Sequence, residues 1–217
     1  MNSVHRALLA TLVMAVLPAS AAAQQAIVPF TSIAAVDNRV RVGGTEIERA
    51  SGSVWGIGAT ARFSPWLGGR IRLAGGTLTG RSPATEDRGY AQADIAVVLT
   101  PETWATVDVA AVTRVLEGSV ARQRWVELRL GSEAKIRLLD EVLRAAVRLS
   151  VAPGVSVTGQ PSPDLALGVG TGLEYVGRQF IAGLDYDFDR YDFPPGPTGR
   201  RLEQRAAVTA RVGWRFR

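Results

Sequence analysis

The chain has no cysteine, which excludes a disulfide framework, a thiolate metal site, a thiol nucleophile and a cysteine-borne lipid anchor. It has one histidine, His5, and its 25 lysines and arginines include a single lysine, Lys135. Beyond its first residues it therefore lacks the imidazole on which most nucleophile-activating dyads and neutral-pH metal sites depend. Long apolar runs are also missing. After Gln24 none is long enough for a transmembrane helix, although 47% of the residues are hydrophobic. The arginines are dispersed rather than gathered into a patch, which argues against a nucleic-acid partner.

What is present begins with a leader. A short basic start ending in His5 and Arg6 precedes an apolar stretch from Ala7 to Leu17, then Pro18 and the small residues Ala21, Ala22 and Ala23. This pattern predicts a signal peptide over residues 1–23, cut after Ala23 and exported through the Sec pathway. The mature chain, 24–217, is then about 190 residues, the size of one domain.

Hydrophobicity in the mature part is distributed by twos. From Glu127 to Leu138 one parity reads Leu128, Leu130, Ser132, Ala134, Ile136, Leu138; the other reads Glu127, Arg129, Gly131, Glu133, Lys135, Arg137. A helix would mix these sets, whereas a strand separates them onto two faces. The same rule predicts strands near 53–63, 67–79, 90–100, 104–115, 122–138, 142–151, 164–175, 179–189 and 204–216, with a weaker first strand near 30–42. Tight connections at Ser64-Pro65-Trp66, Pro101-Glu102-Thr103, Leu139-Asp140-Glu141 and Val176-Gly177-Arg178 alternate with longer ones, so the short turns share one end. The longest connections are expected at 152–163 and 190–203, both rich in proline. The expected fold is all-β, an antiparallel up-and-down transmembrane barrel of ten strands, with eight as the alternative.

Alternation is common to soluble and membrane barrels, which turn the apolar face in opposite directions. Three features favour the membrane. The polar parity is crowded with ionic side chains expected to line the lumen: Arg62, Arg70, Arg72, Arg114, Arg129, Lys135, Arg137, Arg144, Arg148, Arg205, Arg211 and Arg215, against Asp94, Asp108, Glu127, Glu133, Glu174, Asp185 and Asp187. Aromatic residues (Trp55, Phe63, Tyr175, Phe180, Tyr186, Phe188, Trp214, Phe216) fall near the ends of apolar faces, as bilayer interfaces favour. Tyr90 and Trp125 depart from this by sitting on the polar parity. Lastly, a two-faced strand closes the sequence.

Leader, strand meander and final strand together resemble the small outer-membrane β-barrel proteins of Gram-negative bacteria, including porin-like ones, over nearly the whole mature chain. The resemblance implies residence in the outer membrane among lipid and lipopolysaccharide, and insertion by the barrel-assembly machinery. Trp214 and Phe216 match the aromatic ending that this machinery recognises, though Arg217 follows.

Some barrels of this kind are hydrolases, but those rely on histidine. No cofactor and no enzymatic role is expected. Asp185, Asp187 and Asp189, with Asp192 nearby, offer hard oxygen ligands of the kind calcium takes, or partners for Arg205 and Arg211. Gly168-Val169-Gly170-Thr171-Gly172 lacks the Gly-Lys-Ser/Thr ending of a phosphate loop and reads as small inward residues making room for arginines opposite. The expected role is a structural or surface-interaction scaffold; the alternatives are a narrow, weakly anion-preferring pore and a secreted soluble β-barrel or sandwich.

Overall fold

In the computed structural model, which describes residues 26–82, 85–119, 122–139 and 142–215, the alternating segments form ten strands and no helix. In chain order they are β1 Ala26–Val42, β2 Thr45–Arg62, β3 Leu67–Gly80, β4 Arg88–Glu102, β5 Ala105–Glu117, β6 Arg122–Leu139, β7 Leu143–Val157, β8 Leu165–Val176, β9 Phe180–Gly196 and β10 Gly199–Trp214. Each pairs antiparallel with its chain neighbours, and β1 pairs with β10 from Phe30 opposite Gly213 to Val42 opposite Arg201. The sheet is thereby closed on itself around the barrel. The segment expected to be the weakest strand is the seam of the barrel. The expected leader, 1–23, and Phe216 of the expected assembly signal lie outside the described residues.

Large apolar side chains stand exposed on the outside of every strand. Examples are Ile27 on β1, Trp55 and Ile57 on β2, Leu73 on β3, Val97 on β4, Val109 on β5, Ile136 on β6, Leu149 on β7, Val169 on β8, Leu184 on β9 and Val212 on β10. A soluble barrel would set these side chains in water, at a cost of about 25 cal/mol for each Å² of apolar surface left uncovered. A bilayer covers the same band without that cost, so the outward face is a lipid face.

Of the two long connections expected, 190–203 is almost wholly strand, and 152–163 is strand as far as Val157, with 158–164 linking β7 to β8. The phase of alternation reverses at a bulge where Leu128 and Leu130 of β6 face Gly154 and Val151 of β7, leaving Ala152 and Pro153 as the extra pair. Inward positions on β7 are even-numbered before this bulge and odd-numbered after it, so Val155 and Val157 point inward and are buried. Unbroken alternation therefore ends at Val151, and the bulge also accommodates the proline.

The second expected loop, 190–203, is the end of β9, a two-residue turn and the start of β10. Beyond Asp192, β9 pairs only with β10, and the adjacent prolines Pro194 and Pro195, whose N atoms point to opposite sides of the strand, fall where one side is unpaired and the other has a register shift between Arg200 and Leu202. On the other side of the seam, β2 before Ala50 pairs only with β1. β9, β10, β1 and β2 thus extend past their neighbours as a four-stranded lip at the loop end. Its two hairpins are joined where the Gly43 N–H donates to the Arg200 carbonyl at 3.1 Å. Gly43 and Gly44, at φ 57° and 88°, supply the left-handed pair that a two-residue hairpin turn demands.

Candidate functional site: the barrel lumen

The lumen has two unlike halves. Toward the loop end, the inward positions of several strands lose their polarity: Ala34, Val36, Val54, Leu78, Tyr90 and Leu116 form one buried cluster. Across from it Trp125, Val155, Val157, Ala166, Tyr191 and Phe193 form another. Trp125 is 0% exposed and Phe193 and Leu78 are each 1% exposed, so no water reaches them. Trp125 packs edge-on against Tyr191 and Phe193, with ring centroids 5.0 and 6.0 Å away.

Between these clusters, charged groups cross the barrel. The Arg205 guanidinium, on β10, donates to the Asp189 carboxylate on β9 at 2.6 Å and to Tyr90 Oη and Gln92 Oε1 on β4 at 2.8 and 2.9 Å. Tyr90 in turn donates to Gln92. Asp189 also pairs at 3.1 Å with Arg129 of β6, which reaches Glu127 at 2.8 Å and the Tyr191 hydroxyl at 3.1 Å. The Glu127 side chain, with no exposed surface, further accepts from Tyr191 at 3.0 Å and pairs with Arg114 of β5 at 3.3 Å. Arg114 lies over the Trp125 ring, 4.6 Å from its centroid, where the ring face attracts the cation. One connected network therefore joins β4, β5, β6, β9 and β10 across the interior.

Burial of charge makes this network self-enforcing. Each ion has given up water, and only its partners offset that loss, so removing one member leaves another buried and unpaired. The sequence marked Arg114, Glu127, Arg129 and Arg205 as inward, but Tyr90 and Trp125 stood out only as aromatics on the wrong parity, and Tyr191 and Phe193 fell in an expected loop. Their signal was present in the apolar residues on the polar parity at the loop end of consecutive strands.

Toward the turn end, pairing is looser and wetter. Arg70 reaches Asp108 at 3.2 Å and Asp94 at 3.9 Å, and Lys135 reaches Glu133 at 3.1 Å and Glu174 at 4.0 Å. Arg148 pairs with Asp185, Asp187 and Glu133, and Arg211 with Glu174 and Asp185. The aspartates weighed as calcium ligands are each in contact with arginine: Asp185 and Asp187 as above, Asp189 with Arg129 and Arg205, Asp192 with Arg190 at 3.1 Å. The β8 glycines make room chiefly for these aspartates rather than for arginines. A Cβ at Gly170 or Gly172 would run into the carboxylate of Asp187 or Asp185, and one at Gly168 into Ser150 and Asp189. Arg62, Lys135, Arg137 and Arg144 line a cavity of about 940 Å³ at the turn-end mouth. Arg215 is exposed just past β10, while Trp214 projects outward at 48% exposure.

No protein-family model matches the chain, and no curated protein matches it by sequence. Among solved structures it is similar to the beta domain of the Bordetella autotransporter BrkA, with a TM-score of 0.52 and 10% identity over 87% of this chain and 99% of that one. It is also similar to an outer-membrane channel from Pseudomonas putida (TM-score 0.49, 11% identity, 89% of this chain, 97% of that one) and to the translocator domain of autotransporter NalP from Neisseria meningitidis (TM-score 0.48, 14% identity, 98% and 96%). At 10% identity the likeness to the BrkA beta domain is one of fold alone, a closed antiparallel β-barrel.

Proposed function

We propose that the protein is a non-enzymatic scaffold of the outer membrane whose barrel does not conduct, with its turn end in the periplasm and its lip at the cell surface. The cross-lumen network carries this reading. A pore needs a continuous wet path, whereas here the level of Glu127, Arg129, Asp189 and Arg205 is bonded from wall to wall beneath a dry layer of Trp125, Phe193 and Leu78. That arrangement favours the scaffold over the anion-preferring pore.

The surface such a scaffold would present is the lip. Its strands exceed the roughly 9–11 residues a tilted strand needs to cross a bilayer, and the excess carries charges held in place by one another. On its outside Asp37 is gripped by Arg39 at 2.7 Å and Arg49 at 3.0 Å, and Ile47 is left exposed beside the free edge of β2. Outward-facing Arg122 and Arg124, just above the apolar band on β6, suit the phosphates of lipopolysaccharide as a lipid partner. Export through the Sec pathway and insertion by the barrel-assembly machinery belong to the same reading.

Planar-bilayer recording tests it. The refolded protein is expected to give no stepwise conductance, and the double variant Trp125→Ala, Phe193→Ala to give discrete steps. Stable conducting steps from the unaltered protein would overturn the proposal.

A further inference from the structure

Below the level of the network, the turn-end mouth holds a half-open cavity. Its walls are basic: Arg62 from β2, Lys135 and Arg137 from β6, and Arg144 from β7. Glu102 is the one carboxylate among its described lining residues. Lys135 is shared between Glu133 and Glu174, but neither Arg62 nor Arg144 has a carboxylate partner among the described residues. Arg144 also holds a guanidinium Nε shielded from water without a hydrogen-bond partner among the described residues, as Arg72, Arg114 and Arg148 do elsewhere in the lumen.

Register adds an independent observation. Arg144 stands opposite Arg137 in the β6–β7 ladder and opposite Glu174 in the β7–β8 ladder, and Glu174 is itself engaged by Arg211 at 2.9 Å and Lys135 at 4.0 Å, so basic groups outnumber carboxylates at this level. Low-dielectric barrel walls focus this positive field into the cavity and strengthen its pull on an anion. Trp66 and Trp104, both 58% exposed, add flat apolar surface at the entrance.

We infer that this mouth is a binding site for a multivalent oxyanion, a small solute carrying several phosphate or carboxylate groups, which Arg62 and Arg144 hold as it enters from the end bearing the tight turns. The cavity is far larger than one phosphate and falls in the size range of pockets that enclose small-molecule ligands. Fork-shaped guanidinium groups suit such oxygens better than ammonium does, which matches the near absence of lysine here. That the solute is periplasmic rests on the orientation proposed above; the binding itself does not.

The test is calorimetric titration of the refolded protein in zwitterionic micelles at low salt, with sodium tripolyphosphate and with citrate. Saturable binding of at least one is expected, weakened about tenfold or more by Arg62→Gln and further by Arg62→Gln with Arg144→Gln. Arg122→Gln with Arg124→Gln, on the outer wall, is expected to leave it unchanged. Tripolyphosphate alone binding identifies a phosphate site, and citrate alone a carboxylate site. Because Arg62 is exposed and has no ion-pair partner among the described residues, its variant is expected to fold, which heat-dependent gel mobility checks. No saturable heat with either anion, equal affinity in Arg62→Gln, or equal loss in the outer-wall control would overturn the inference. Conductance is read separately, so a leaky barrel that still binds the anion would sink the scaffold and leave this site standing.

Discussion

The loop half and the turn half of the lumen are built from the same strands and the same residue types, yet they solve the problem of interior charge differently. In the loop half the carboxylates are enclosed: the Glu127 side chain is 0% exposed, and it has three partners drawn from three strands. In the turn half Glu133, six residues along the same strand, keeps 19% of its side chain exposed and meets Lys135 and Arg148 at 3.1 and 3.7 Å. The difference lies in the neighbours. Apolar residues at inward positions exclude water around Glu127, and small or charged ones admit it around Glu133. Identical ion pairs therefore become a seal at one level and a solvated wall at the other.

The sharpest way to break the comparison is to make one substitution at both levels. Glu127→Ala strands Arg114 in a dry environment, leaves Arg129 with Asp189 as its carboxylate, and is expected to cost about 3–5 kcal/mol, whereas Glu133→Ala, where water replaces the lost partner, is expected to cost about 1 kcal/mol or less. Denaturant unfolding in lipid vesicles measures both, and equal midpoints would mean the halves are not different in kind. The absence of native cysteine allows a second measurement. A thiol at Ala34→Cys, in the dry half, is expected to react with a water-soluble maleimide at least about tenfold more slowly than one at Ala146→Cys, in the turn half. The smallest effect concerns the lip, which lies beyond both halves: Gly44→Ala, at φ 88°, is expected to cost about 1 kcal/mol by straining the hairpin while leaving the lumen sealed.

Much of the barrel was legible in the sequence because a membrane strand writes its two faces as two parities. Strand number, the shared end of the tight turns and the inward ionic residues follow from that rule, which needs only local alternation. It fails where geometry changes its phase. The bulge at Ala152-Pro153 hid the inward turn of Val155 and Val157, and Pro194-Pro195 looked like a loop because nothing local reveals that β8 has ended and one side of the proline segment is unpaired. The plug was harder to read for a different reason. Trp125 and Tyr191 lie 66 positions apart in sequence order, and only barrel closure brings one ring against the other. Their shared inward parity was visible; their meeting was not.

The seal also carries information about time. Arg205 belongs to the last strand, and it joins Asp189 on the strand before it to Tyr90 and Gln92 on the fourth. No shorter version of the chain can complete that link. A partly assembled barrel therefore holds Asp189 without its closest cation, and the arrival of β10 both zips the seam to β1 and completes the crossing of the interior. Closure of the wall and completion of the link across the interior thus depend on the same strand.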